Sequence, residues 1–232
     1  FLYTKCDSAR FFGNLGFYEI TRVPEENIVF MENKRTGFQD YLAALQRETQ
    51  QAETTARDEA NAGEPGPSHP VEAVMAAGGS CAAGSAALNQ RERVGAIVMN
   101  ANPFTLGHRY LVEQARAACE VLHLFMVSED VSLVPFSVRK QLILEGTKDI
   151  PGIVYHEAGS YIISSATFPA YFQKGDNAVI RSQAGIDARI FTQIAAALGI
   201  TDRFVGDEPT SVVTGIYNEI LSTALPEAGV AC

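Results

Sequence analysis

The feature that most constrains the fold of this chain is an alternation of apolar strands and helices between residues 93 and 225. Residues 94–99 and 121–127 are nearly continuous apolar runs, typical of strands buried on both faces of a parallel sheet. Ser137 is expected to cap a helix and Gly199 to end one. The remaining patterns predict helices at 107–119, 137–147 and 185–198, and strands at 153–155 and 203–205. The chain therefore predicts an α/β fold whose parallel sheet is covered on both faces.

The chain divides into three zones by composition. Residues 1–45 contain short strands and a short helix, and residues 93–232 carry the α/β pattern. Residues 46–92 are first polar and then rich in Gly, Pro and Ala. Such a segment cannot bury enough apolar surface to offset its ordering entropy, which predicts a flexible linker.

Charge and cysteine usage exclude several classes of partner. The formal net charge of -9 argues against nucleic acid and against an anionic membrane surface as partners. The four cysteines show no C-x-x-C pair or metal-ligand spacing, so they predict unpaired thiols and no metal site. With no signal peptide and no apolar run of about 20 residues, the sequence predicts a cytoplasmic protein.

The segment between the first strand and the first helix carries the chemistry: Asn102-Pro103-Phe104-Thr105-Leu106-Gly107-His108. Ligands of open parallel sheets bind at the carboxyl ends of strands, where a helix N-terminus offers free N–H groups to a phosphate. Gly107 allows the backbone to approach, while the Thr105 hydroxyl and the His108 imidazole can stabilise charge on an α-phosphorus as pyrophosphate leaves. The sequence predicts Thr105 and His108 as catalytic, and Asn102, Pro103, Phe104 and Gly107 as nucleotide-binding. The alternative is that His108 only caps a helix after an ordinary turn.

This segment resembles the T/H-x-G-H signature of the nucleotidyltransferase superfamily, with Thr105 where the two-histidine version has His. The resemblance implies a Rossmann-like sheet. It also implies that Arg139 reaches the phosphates and that Gly206-Asp207 lies near the ribose or base, although Arg139 can equally be solvated and Asp207 a turn residue. Ser128, at the end of the second strand, is expected near the adenylate.

Longer strings resemble the citrate lyase ligase family over nearly all of residues 93–222. They include Val98-Met99-Asn100-Ala101-Asn102-Pro103-Phe104-Thr105, Ser128-Glu129-Asp130, Ala166-Thr167-Phe168-Pro169 and Arg203-Phe204-Val205-Gly206. Residues 1–35 are similar to the end of an acetyltransferase-like (GNAT) α+β domain, so 1–45 is expected to be its C-terminal remnant.

The resemblance implies an ATP-dependent ligase. Acetate and ATP would give acetyl-adenylate and pyrophosphate, with Mg²⁺ accompanying ATP. The acetyl group would then pass to the prosthetic-group thiol of the citrate lyase acyl carrier subunit, which releases AMP.

A second superfamily signature, I-S-x-S-x-x-R, is expected late in the domain. The nearest string, residues 163–168, lacks the arginine and precedes the fourth strand. The expectation is therefore a fragment truncated at both ends, without the last strand of the sheet. Alternatives are another adenylyltransferase, an inactive ligase that only binds ATP or citrate lyase, and, weakest, an N-acetyltransferase. His123 is expected in the core, with His156 at the possible edge of the site.

Overall fold

The computed structural model describes residues 1–62, 93–172, 176–206 and 211–232. Its elements follow the chain in the order β1 (Leu2–Lys5), α1 (Ala9–Asn14), β2 (Tyr18–Val23), β3 (Ile28–Glu32), α2 (Gly37–Ala62), β4 (Val94–Met99), α3 (Leu106–Ala118), β5 (Val121–Met126), α4 (Phe136–Thr147), β6 (Ile153–Glu157), α5 (Asn177–Leu198), β7 (Asp202–Phe204) and α6 (Val212–Glu227). None of the helices in these ranges is long and apolar enough to cross a membrane.

Strands β4 to β7 form a parallel sheet in the order β6-β5-β4-β7, as the apolar runs predict. Helices α3 and α4 bury one face of this sheet, where Val112 and Ile143 pack against Ile97 and Leu124. Helices α5 and α6 bury the other face. Covering both faces satisfies the near-continuous apolar character of β4 and β5, and the predicted α/β fold class is confirmed.

Two helix boundaries differ from the sequence prediction. Helix α4 begins at Phe136, whose backbone N–H donates to Asp130 Oδ1 at 2.5 Å, so the prediction of a Ser137 cap is wrong. Helix α5 begins at Asn177 rather than at residue 185, with the Asp176 side chain accepting from the Ala178 N–H. The predicted stop at Gly199 is confirmed, since this residue caps α5 in the left-handed region with φ of 68°.

The N-terminal strands form an antiparallel sheet in the order β1-β3-β2 that packs on α5. Val23 and Phe30 of this sheet belong to the same buried cluster as Phe191 of α5. Gln193 Nε2 also donates to the Ile20 carbonyl at 3.3 Å. Residues 1–45 therefore share one core with the parallel sheet. Their assignment to an acetyltransferase-like domain stays a prediction.

The linker predicted for residues 46–92 begins too early, because α2 continues as a helix through residue 62. The first half of α2 is anchored on the α/β domain: Phe38 and Leu45 are buried, and Gln46 Nε2 donates to the Ala197 carbonyl at 3.0 Å. Tertiary packing thus orders a segment whose polar composition favoured a linker. Residues 63–92 lie outside the described part of the chain.

A relay of Glu48, His156 and His123 connects α2 to β6 and β5. His156 Nδ1 lies 2.6 Å from Glu48 Oε2, and His156 Nε2 lies 2.9 Å from His123 Nδ1. The carboxylate accepts from Nδ1–H of His156, so Nε2 of that ring accepts from Nδ1–H of His123. Burial lowers the pKa of both rings and keeps them neutral. The prediction of a core position for His123 is confirmed, and His156 is also buried rather than at a site edge.

This relay predicts a loss of stability in acid. Burial lowers the pKa of His123 to about 3 and that of His156 to about 4, from an ordinary value near 6.5. As the pH falls below about 6.5, the two histidines bind protons in the unfolded chain but not in the folded chain. The free energy of unfolding therefore declines until the pH reaches the folded pKa values. Between pH 7 and pH 5, the free energy of unfolding should fall by up to about 2 kcal/mol per histidine.

Urea denaturation at both pH values measures this effect, with the double variant His123→Phe/His156→Phe as the reference. Burial raises the pKa of Glu48, and this acts in the opposite direction because the folded carboxyl takes up its proton earlier. An equal pH dependence in the wild type and the double variant would contradict the assignment.

Candidate functional site

A cavity of about 670 Å³ opens at the carboxyl ends of β4 and β7. Strand β4 pairs with β5 on one side and with β7 on the other, and the chain leaves β4 toward α3. Loops diverge to opposite faces of an open parallel sheet at such a point and leave a crevice between them. Val98 and Met99 from the end of β4 form part of the cavity wall.

The N-terminus of α3 forms one wall of this cavity. Thr105, Gly107 and His108, which the sequence predicts to form a phosphate site, all line it. The Thr105 backbone N–H donates to His108 Nδ1 at 3.1 Å, and Thr105 Oγ1 lies 2.8 Å from the same nitrogen in a capping box. Because Nδ1 accepts a hydrogen bond, the neutral imidazole carries its proton on Nε2. His108 is thus a helix cap and a half-buried cavity residue at once.

The loop before α3 is held by hydrogen bonds to the loop between β5 and α4. Asn102 lines the cavity, and its Oδ1 accepts from the Val134 N–H at 2.9 Å. Ala101 adopts a positive φ of 47°, which turns the chain from β4 toward this loop. The neighbouring Asn100 also lines the cavity, and its Nδ2 donates to Ser132 Oγ at 3.1 Å. These contacts fix the entry into the Thr105–His108 turn.

Phe104 and Pro103 were predicted to bind the nucleotide, but neither forms part of the cavity wall. The Phe104 ring stacks on the His108 ring, with 5.7 Å between centroids and 26° between planes. Its other side lies against Gly146 of α4. Phe104 therefore packs between the His108 ring and α4 and holds that ring in position, whereas Pro103 is exposed.

Gly146→Ala is expected to displace the Phe104 ring and to destabilise the protein by about 1–3 kcal/mol. A Cβ at Gly146 would lie 2.4 Å from Phe104 Cε1 and 2.8 Å from Cδ1, and an aromatic ring cannot bend away. Gly185→Ala in α5 is the matched control, because its Cβ would meet only Val23 at 3.7 Å. That change should stabilise by about 0.4–1 kcal/mol.

Urea denaturation of both glycine variants gives the stability change, and the NMR signals of the His108 ring report whether its support has moved. A Gly146→Ala variant as stable as the wild type, with unchanged His108 signals, would contradict the packing role of Phe104.

Arg139 does not reach the cavity, contrary to what the resemblance implied. Its side chain is 1% exposed and donates to backbone carbonyls of two loops. Nε donates to Val134 at 2.9 Å, Nη1 to Asn100 and to Val127 at 2.8 Å each, and Nη2 to Glu129 at 2.5 Å. A guanidinium that donates to four carbonyls fixes the loops after β4 and β5 relative to each other.

The remaining predicted residues lie at different distances from the cavity. Ser128 lies outside its wall, where Oγ donates to the Met126 carbonyl at 3.2 Å and accepts from the Gly159 N–H at 3.1 Å. Gly206 lines the cavity, and its carbonyl accepts from Asn218 Nδ2 at 3.0 Å. Asp207 lies outside the described residues.

Several residues of the cavity wall were not predicted from the sequence as site residues. One group of them lies on the face covered by α5 and α6 and includes Ile163, Tyr171, Arg203 and Tyr217. Arg203 lies in the short strand Asp202–Phe204, and its position beside the apolar residues 204–205 is the sequence signal that can reveal it as a buried charge.

The described residues fit a nucleotide at this cavity. The first turn of α3 presents backbone N–H groups and the positive end of a 13-residue helix. At Gly107 an added Cβ would meet only Thr105 Oγ1, at 3.7 Å, so the backbone is open to a close ligand. Within residues 1–62, 93–172, 176–206 and 211–232, no group of three or more His, Cys, Asp or Glu could hold a metal ion.

Sheet order, the cavity at the strand ends and the T-x-G-H turn define a Rossmann-like nucleotidyltransferase domain. The chain belongs to the citrate lyase ligase family, since residues 94–232 match the model of the citrate lyase ligase C-terminal domain.

Three curated relatives extend the similarity over most of the chain, and each is named citrate (pro-3S)-lyase ligase. The protein from Escherichia coli (strain K12) is 40% identical over 220 residues, which cover 94% of this chain and 51% of the relative. Those from Haemophilus influenzae and Klebsiella pneumoniae are each 37% identical, over 98% and 99% of this chain and 56% of each relative. The chain thus spans about half the length of the curated relatives it matches.

Proposed function

We propose that this chain carries the adenylating site of an acetate-activating ligase that acts on citrate lyase. One acetate oxygen attacks the α-phosphorus of ATP, and the bond from that phosphorus to the bridging oxygen of the β-phosphate breaks. Acetyl-adenylate forms and pyrophosphate leaves. The acetyl group then moves to the prosthetic-group thiol of the acyl carrier subunit of citrate lyase, and AMP is released. The names of the relatives support citrate lyase as the target.

The observation that carries the proposal is the N-terminus of α3 in the cavity wall, with Thr105 and His108 as its first polar side chains. In this proposal the backbone N–H groups of the first turn bind the phosphates. His108, protonated on Nε2, donates to a phosphate oxygen that gains charge as pyrophosphate leaves. Thr105 holds the imidazole in that tautomer through its backbone N–H.

Magnesium would enter with ATP and offset the charge of the leaving pyrophosphate. Hard cations of this kind keep several waters and bind substrate phosphates through few protein ligands. Asn102 and Thr105, both exposed oxygen-bearing residues of the cavity wall, are the described side chains that could contact its hydration shell.

ATP–pyrophosphate exchange tests the proposal, measured with acetate and magnesium and again without each of them. The full-length Escherichia coli relative serves as the positive control. Exchange that requires acetate would support adenylation of an acid by this chain. Exchange with a phosphomonoester in place of acetate would favour another adenylyltransferase. ATP binding without exchange in this chain, beside exchange in the relative, would indicate a chain that binds but does not activate.

A further inference from the structure

The cavity wall opposite the α3 turn contains a buried arginine whose charge is not matched by hydrogen bonds. Arg203 of β7 is 3% exposed, and its Nε and Nη1 have no hydrogen-bond acceptor within the described parts of the chain. A buried guanidinium without acceptors is costly, because each N–H has lost its water. Groups of this kind in native proteins need an explanation, and a ligand of opposite charge is one.

The neighbours of Arg203 hold it in place, but within the described parts of the chain none accepts a hydrogen bond from its Nε or Nη1. Its guanidinium carbon lies 4.4 Å from the ring centroid of Phe191 in α5, which is a cation–π distance. The nearby carboxylate of Asp187 is committed elsewhere: it accepts from the Ile163 N–H at 2.7 Å and from the Tyr217 hydroxyl at 2.6 Å. Asp187 attracts Arg203 electrostatically, but its carboxylate accepts hydrogen bonds from other groups and none from Nε or Nη1 of Arg203.

Arg203 lies on the other face of the sheet from the proposed phosphate site at the α3 turn. Arg203 pairs in register with Ala96, three residues before the end of β4, and its side chain packs on the face covered by α5. Helix α3 covers the other face and presents Thr105 and His108 from there. The cavity thus has two walls suited to anions, one at a helix N-terminus and one at a buried guanidinium between aromatic side chains.

We propose that Arg203 forms an oxyanion subsite that binds the carboxylate of the small acid substrate, while the α3 turn binds the phosphates of ATP. The identity of the acid as acetate rests on the proposed function. The aromatic and aliphatic surroundings, Tyr171, Tyr217 and Ile163, suit a short apolar tail beside the carboxylate. A phosphate oxygen of ATP is also an anionic acceptor, so the test must distinguish binding of the acid's carboxylate from binding of a phosphate.

Ligand-observed NMR measures acetate binding directly, through saturation transfer from the protein to the acetate methyl group, with neutral acetamide as the matched probe. We expect transfer to acetate and none to acetamide in the wild type. Arg203→Met should weaken acetate binding on the order of 10–100-fold, the usual loss for a hydrogen bond to a charged group. Arg93→Met is the control variant, because Arg93 forms an ion pair with Asp202, the neighbour of Arg203 in β7, and lies outside the cavity wall.

Stability separates a ligand-binding role from a structural one. Replacing an unpaired buried charge with an apolar side chain of similar size is expected to leave the melting temperature unchanged or to raise it. A melting temperature that falls in Arg203→Met would instead show that the guanidinium holds the fold together and would overturn the proposal. Arg203→Lys, which keeps the charge, should retain part of the acetate binding.

Each remaining outcome decides the proposal. Unchanged acetate binding in Arg203→Met, or no acetate binding in the wild type, would overturn it. Weaker ATP binding with unchanged acetate binding would assign Arg203 to the phosphates and overturn it as well. Acetate binding that depends on Arg203, without any ATP–pyrophosphate exchange, would support the subsite while the proposed function failed.

Discussion

His108→Ala is expected to lower acetate-dependent ATP–pyrophosphate exchange on the order of 10²–10³-fold, the effect of removing one donor to a developing negative charge. The imidazole lies in the cavity wall at the N-terminus of α3, with its Nδ1 occupied by the Thr105 N–H. The substitution to alanine therefore removes the Nε2–H donor of His108. ATP binding should weaken less than the exchange rate, since the donor acts mainly as charge develops.

The same substitution also removes a helix cap, which should reduce stability by about 1 kcal/mol. Two variants separate the two effects. Leu106→Ala changes the first residue of α3 at a side chain that is 85% exposed, and exchange should be retained. Thr105→Val removes the hydroxyl but keeps the backbone donor to His108. If His108→Ala exchanged pyrophosphate at the wild-type rate, His108 would be a cap alone and the catalytic assignment would be lost.

Arg139→Ala is expected to lower the free energy of unfolding by about 3 kcal/mol or more. Four backbone carbonyls lose their donor, and each unsatisfied buried acceptor costs about 1–3 kcal/mol where water cannot replace it. Arg139→Lys should recover only part of this loss, because a single ammonium cannot reach four carbonyls spread over two loops. Burial lowers the pKa of Arg139, yet the charged form has enough acceptors to remain.

Urea denaturation measures this loss, and Arg181→Ala provides the control. Arg181 forms an exposed ion pair with Glu219, which contributes at most about 1 kcal/mol. The phosphate role implied by the resemblance makes the opposite prediction for Arg139→Ala, namely normal stability with a raised KM for ATP. That result would show that the guanidinium leaves its carbonyls when the nucleotide binds.

Much of the parallel sheet could be predicted because its signal is local. The apolar runs in β4 and β5 have no polar face, so only a strand covered on both sides accommodates them. The turn between β4 and α3 is also local, since Thr105, Gly107 and His108 are close in sequence and the helix start brings them together. Their place in the cavity wall follows from the general position of ligands at strand ends.

The extent of α2 and the surroundings of the two core histidines were decided by contacts distant in sequence. Glu48 and His156 are 108 residues apart, and no local pattern indicates that they meet. The polar composition of α2 is typical of a linker, but Phe38 and Leu45 at its start pack in the core and anchor the helix. Helix propensity alone is a weak force, and burial of one face supplies most of the stability of such a helix.

The sequence by itself determined the class of fold, the family resemblance and the T-x-G-H turn, because periodicity and short motifs are properties of neighbouring residues. The tertiary structure decided which charged side chains face the cavity. Arg139, expected at the phosphates, donates to loop carbonyls instead. Arg203, which the sequence did not mark as a site residue, lines the cavity with two nitrogens that have no acceptor in the described part of the chain. The direction of a long side chain depends on acceptors brought by other parts of the chain, and those are known only once the chain has folded.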